Sequence, residues 1–167
     1  APHLTLNHWD LPQALQETGG WTNRDTVGRF ADYAAEVARR FGSRAGSIAT
    51  HNEPWVIAIL GHQAGTFAPG LKSQKAAMQV SHHLLLSHGI ALQALRGQHC
   101  AAPLGIVLNQ APTHAVTNSA EDLARARLDD GLTIRWYMDA LLRGCYPEDV
   151  LAFLGDDAPR IAPGDME

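Results

Sequence analysis

The chain has 167 residues, enough for a compact domain with a real core, and 46% hydrophobic against 18% charged residues describes a globular rather than a disordered protein. A net charge of −4 gives no basic field for nucleic acid, and no apolar run reaches the length of a membrane span. The opening APHLTLNHWD has neither a basic n-region nor an apolar h-region. The two cysteines, Cys100 and Cys145, form no CxxC pair and read as buried or idle thiols, with a reducing, cytoplasmic setting as the default expectation.

In chain order, HLTLNHWD alternates Leu4, Leu6 and His8 against Thr5 and Asn7, a strand pattern. Val27, Phe30, Ala34, Val37 and Phe41 then recur at helical spacing, with Asn23 or Asp25 as cap and Gly42 as stop. SIATHNEP reads as a second strand. The stretch carrying Gly61, Gly65, Pro69 and Gly70 reads as a loop. A second helix places Ala77, Val80, Leu84, Ala91 and Leu95 near one stripe, between Ser73 as N-cap and Gly97 as stop. LGIVLNQ reads as a third strand covered on both faces. Ser119, with Asp122 in the capping-box position, opens another helix, a further helical stretch runs toward Gly144, and Pro147 starts a last one.

Strands alternating with helices predict an α/β fold with a parallel sheet. A doubly wound sheet and a piece of a (β/α)8 barrel both fit. No Gly-rich phosphate loop follows a strand. In either architecture the ligand site lies at the C-terminal ends of the strands. Those ends read His8-Trp9-Asp10, Asn52-Glu53-Pro54-Trp55 and Asn109-Gln110. Aromatic rings beside amide, imidazole and carboxylate groups suit a sugar, which offers apolar C–H faces and a rim of hydroxyls. Adjacent residues on a regular strand face opposite ways, so Asn52 and Glu53 can share a site only if the backbone is irregular at 51–54.

The blocks TLNHWDLPQALQETGGWTNRDTVGRFADYA, HNEPWV, HLLLSHGIALQALR, GIVLN and DGLTIRWYMDALLRGCYPED together resemble glycoside hydrolase family 1, the β-glucosidase family, from about His3 to Leu154. The resemblance implies a partial (β/α)8 TIM barrel, with residues 1–167 a single incomplete segment spanning strands three to five. It implies a retaining β-glycosidase acting on small-molecule β-glycosides or oligosaccharides with terminal β-linked glucose-type residues, without a cofactor. By motif match Glu53 is the catalytic acid/base and Asn52 holds the 2-hydroxyl. His8 and Trp9 line the sugar, and Asn109 lies near it.

A retaining mechanism needs two carboxyl groups about 5–5.5 Å apart. The family's nucleophile motif, Thr-Glu-Asn-Gly, does not occur in this sequence. The expectation is therefore a fragment without its nucleophile, inactive alone and prone to self-association through open sheet edges. The alternative is a non-catalytic carbohydrate-binding or interaction fragment. Against the family pattern, Asn7 stands for an aromatic, His51 for an aliphatic residue, His62 for a tyrosine and Ile134 for an asparagine. A metal-binding reading of His82, His83 and His88 fails on spacing, because a helix wants ligands at i and i+4.

Overall fold

A computed structural model describes all 167 residues. By its internal contacts the chain divides into two compact units, Ala1–Leu108 and Asn109–Glu167.

The first unit is a three-stranded parallel sheet in the order β1-β2-β3, with β1 at His3–Asn7, β2 at Ser47–Asn52 and β3 at Leu104–Val107. Short α1 (Gln13–Gln16) follows β1, α2 (Asp25–Phe41) connects β1 to β2, and α3 (Gln74–Gly97) connects β2 to β3. Trp21, Phe30, Ala34 and Ala38 pack with Ile48 of β2 and with Val80, Leu84, Ala91 and Leu95 of α3 in one apolar cluster. The apolar stripe of α2 ends at Ala38, because Phe41 lies at the helix end, 43% exposed, with the Arg44 guanidinium 5.3 Å over its ring. Asn23, one residue before the N-cap, accepts the Asp25 N–H at 2.9 Å on its side-chain oxygen. Ser73 caps α3 by accepting the Ala76 N–H at 3.2 Å.

Three expectations are corrected. The segment expected to be a loop after Pro54 is wound as a π-helix over Val56–Gln63. Gly61 is no breaker there: a Cβ at this position would lie 2.6 Å from the Ala68 carbonyl oxygen, so the glycine marks a close backbone approach. Strand β3 is half-buried rather than covered on both faces, with Val107 exposed at the sheet edge. Of the two thiols read as buried or idle, Cys145 is exposed rather than buried, and Cys100 is half-buried against the core cluster.

The second unit is helical. It runs through α4 (Ala120–Asp130), a π-helical turn (Gly131–Arg135), α5 (Trp136–Arg143) and α6 (Glu148–Leu154). Ser119 accepts the Asp122 N–H at 3.1 Å, while the Asp122 carboxylate reaches back past the cap to the Thr117 N–H at 2.9 Å. Gly144 ends α5 in the left-handed region, φ 65°, where glycine carries no Cβ penalty. Trp136 stacks on Tyr146 at 4.0 Å, and Arg135 binds Asp149 through both terminal nitrogens, at 2.8 and 2.9 Å, and Asp130 through Nε at 2.8 Å.

Candidate active site

The second strand breaks its regularity just before Glu53. Pairing of β2 with β3 jumps between Ala49 and Asn52, and Asn52 comes opposite Val107. Thr50 and His51, neighbours in sequence, both reach α3: Thr50 Oγ1 lies 2.8 Å from His88 Nδ1, and His51 Nε2 lies 2.8 Å from Ser87 Oγ. A regular strand would send them to opposite faces, so the bulge turns the chain here. Glu53 then adopts φ 47°, its N–H bonded to the Val107 carbonyl at 2.8 Å, and Pro54 begins the helical stretch. The irregularity expected at 51–54 is present.

The first strand stops at Asn7, and His8, Trp9 and Asp10 form a bend beyond it. Trp9 sits at φ 78°, a conformation foreign to a bulky side chain. Its indole Nε1–H donates to the Asn52 carbonyl at 3.0 Å, tying the end of β1 to the end of β2. The ring is 36% exposed, with His8 at 4.9 Å and Phe67 at 5.7 Å between ring centroids. Left-handed non-glycine residues cost about 1–3 kcal/mol each and gather where function over-determines them. Two of the three in this chain, Trp9 and Glu53, are here. Trp55, open in sequence to a core or a site reading, is half-buried.

Below this rim lies a buried polar floor. His51 is fully buried, stacked on Phe30 at 4.5 Å and edge-on to Trp21 at 5.5 Å. Burial, with His88 as a second cause, pushes His51 down to about 3, so its ring is neutral with a single N–H. Asn7 Oδ1 lies 3.2 Å from His51 Nδ1, and Asn7 Nδ2 donates to the Asp10 carbonyl at 2.9 Å. Flipping the amide would set two oxygens against each other at Asp10. His51 therefore donates from Nδ1 to Asn7, which leaves Nε2 to accept the Ser87 hydroxyl proton in competition with the Leu84 carbonyl, also 2.8 Å from that oxygen. The other tautomer would oppose two lone pairs across 3.2 Å. His88 is lowered to about 4 by burial and then by Arg96. His83 Nδ1–H donates to the Trp21 carbonyl at 2.8 Å, so its Nε2 accepts from Gln79 at 2.9 Å. His62 is buried, its Nδ1–H donating to the Ile57 carbonyl at 2.8 Å while Nε2 has no partner, and burial lowers its pKa.

The structure thus brings Trp9, His8 and Asn52 together, with Glu53 next in the chain. Asn109, two residues past β3, opens the second unit. No group of three His, Cys, Asp or Glu side chains is arranged to hold a metal. His82, His83 and His88 are buried in α3. Sequence reading missed the Asn7–His51 contact, which joins residues 44 apart. Its one signal was that both positions depart from the family pattern.

Parallel strands with helical crossovers, ending in an aromatic, an imidazole and a carboxylate at a kinked strand end, define a segment of an α/β barrel with its candidate site at the strand C-termini. The chain belongs to glycosyl hydrolase family 1, whose sequence model matches residues 1–167. It is 45% identical over 150 residues to beta-glucosidase A of Acetivibrio thermocellus, covering 90% of this chain and 34% of that protein. The psychrophilic beta-glucosidase of Micrococcus antarcticus superposes with TM-score 0.95 at 42% identity, over 99% of this chain and 36% of that one. The virulence factor SghA of Agrobacterium tumefaciens, solved with its substrate analog salicin, superposes with TM-score 0.94 at 35% identity, over 98% of this chain and 36% of that one. The chain thus spans about a third of the length of these relatives. The fold is that of a partial (β/α)8 barrel, and no helix is long and apolar enough to cross a membrane.

Proposed function

We propose that these residues form the acid/base segment of a retaining β-glucosidase acting on small-molecule β-glycosides. Glu53 gives its proton to the glycosidic oxygen as the bond to the anomeric carbon breaks, while a second carboxylate attacks that carbon. Glu53 then takes a proton from the water that releases the sugar. Asn52 holds the 2-hydroxyl, and His8 and Trp9 wall the sugar. Such an acid must keep its proton near neutrality, which desolvation and a neighbouring negative carboxylate both favour.

The supporting observation is the strand end itself: Glu53 is held at φ 47° between Asn52, whose carbonyl is clamped by Trp9, and buried Pro54. The nucleophile is assigned outside these 167 residues. Glu36 is paired with Arg39 and Arg40 on the exposed side of α2, Glu121 and Glu148 lie in first turns of α4 and α6, and Glu17 caps α1. The remaining one is Glu167.

The test splices residues 1–167 into the matching third of a family 1 β-glucosidase. Turnover of an alkyl β-glucoside is expected, with Glu53→Gln lowering it by about 10²–10⁴-fold. A nitrophenyl glucoside, whose leaving group needs little protonation, should lose less in its first step. The unspliced chain should show no turnover above its Glu53→Gln form. Undiminished alkyl-glucoside hydrolysis by the spliced Glu53→Gln protein would defeat the assignment.

A further inference from the structure

We propose that Asn7 and His51 form a positioning relay that holds the 8–10 bend, and with it the Trp9 ring, against the Asn52 carbonyl. Trp9 occupies a backbone conformation that its own side chain disfavours, so something outside the residue must fix it. Two hydrogen bonds do this. One is the Trp9 indole on Asn52. The other is the Asn7 amide on the Asp10 carbonyl, which closes the bend from residue 7 to residue 10 around Trp9.

The Asn7 amide is oriented in turn. Its oxygen receives the His51 Nδ1 proton, and His51 cannot swing, because Phe30 and Trp21 clamp its ring and Ser87 binds its far nitrogen. The line of contacts runs from α3, through β2, to the rim of the candidate site. Each member is buried up to the bend itself, with Asn7 6% exposed and His51 and Ser87 fully buried. A buried amide and a buried imidazole left unpaired would each be strongly destabilising. Here each satisfies the other. An apolar pair could fill the same space, but it could not hold the Asp10 carbonyl.

The inference takes its functional meaning from the sugar-site reading above. Its test uses no sugar, so the two fail independently. Hydrogen exchange at the tryptophan indole N–H groups is followed by ¹⁵N-edited NMR on the 167-residue chain. Asn7→Leu should speed exchange at Trp9 about tenfold. His51→Leu should act in the same direction, because the amide loses its orientation. Trp136, in the second unit, should not change in either variant. If the single variants unfold the first unit, which loss of Trp21 protection would show, the pair Asn7→Phe with His51→Leu restores bulk without the relay. That pair should fold and still release Trp9. Trp9 exchange within twofold of the parent in a folded Asn7→Leu or paired variant would overturn the proposal, since the bend would then hold itself.

Discussion

The two units solve the same local problems with different residues. In Asn109–Glu167 every left-handed position is a glycine: Gly144, Gly155 and Gly164. In Ala1–Leu108 the left-handed region also holds Trp9, Glu53 and His99. Polar groups divide likewise. The second unit is tied by a partly exposed arginine fork, Arg135 on Asp130 and Asp149. The first buries imidazoles inside its helix-sheet layer, His51, His62, His82, His83 and His88 among them. An element that serves only packing can take the cheapest residue for each conformation. The first unit keeps two costly ones, Trp9 and Glu53, just past the C-terminal ends of β1 and β2, where a candidate site would need them, while His99 lies just after α3.

Acid should separate the units most. His51 is held near 3 in the folded chain against about 6.5 unfolded. Between those values the unfolded state carries the proton and the folded state does not. Stability is therefore complete above pH 6.5 and falls as pH drops toward 3. At pH 5 His51 alone should remove about 2 kcal/mol from the first unit, and His88, held near 4, adds in the same direction. Asp149 loses stability in the same direction but in a lower window: the Arg135 hydrogen bonds hold it near 2, against a usual 3.8. Its contribution is complete above 3.8 and lost only below that. Amide exchange of the two units between pH 7 and 4 should show Ile48 and Leu84 losing protection while Val150 and Tyr137 keep theirs. Parallel loss in both units would erase the distinction.

Salt and truncation should act on the other side. Arg135 has a side chain 23% exposed, with bidentate contact to Asp149. Replacing it by methionine keeps most of the stem packing and removes the fork. The second unit should lose about 1–2 kcal/mol, read from Val150 exchange, with the first unit unchanged. Raising salt toward 1 M should reproduce part of that loss in the parent and less in the Arg135→Met protein, where the Arg127–Asp149 pair remains. Salt sensitivity undiminished by the substitution would place the tie elsewhere.

Much of the first unit was legible because periodicity reports burial. Ala77, Val80, Leu84, Ala91 and Leu95 form the expected stripe, and all are fully buried. The bulge before Glu53 was legible because two adjacent site residues cannot share one face of a straight strand. Periodicity could not show that α3 is buried nearly all round over 77–88, since Ser81, His82, His83, Ser87 and His88 look like a solvated face until their partners on other elements are known. The helical turn at 56–63 was hidden by Gly61, which reads as a breaker and acts as clearance for a carbonyl. Glu53 itself emerged from the NEP motif and the strand-end rule. The Asn7–His51 pair lay beyond periodicity, because a side-chain hydrogen bond between neighbouring strands 44 residues apart leaves no spacing to read, and only the two departures from the family pattern marked it.

The smallest expected effect bears on the backbone at the site. Glu53 at φ 47° lies where a Cβ crowds the following carbonyl. Glu53→Ala keeps that crowding and Glu53→Gly removes it, while both lose the carboxylate. The glycine variant should therefore exceed the alanine variant by about 1 kcal/mol in urea unfolding at equal m-value, even though glycine loses more chain entropy on folding. An ordinary helical position gives the opposite order, with alanine ahead by a similar amount. The sign of the difference thus reports the conformation, whatever the carboxylate contributes. Alanine ahead at position 53 would mean that the strand end is not strained, and would leave the contrast with the glycine-served turn at Gly144 without a basis in energy.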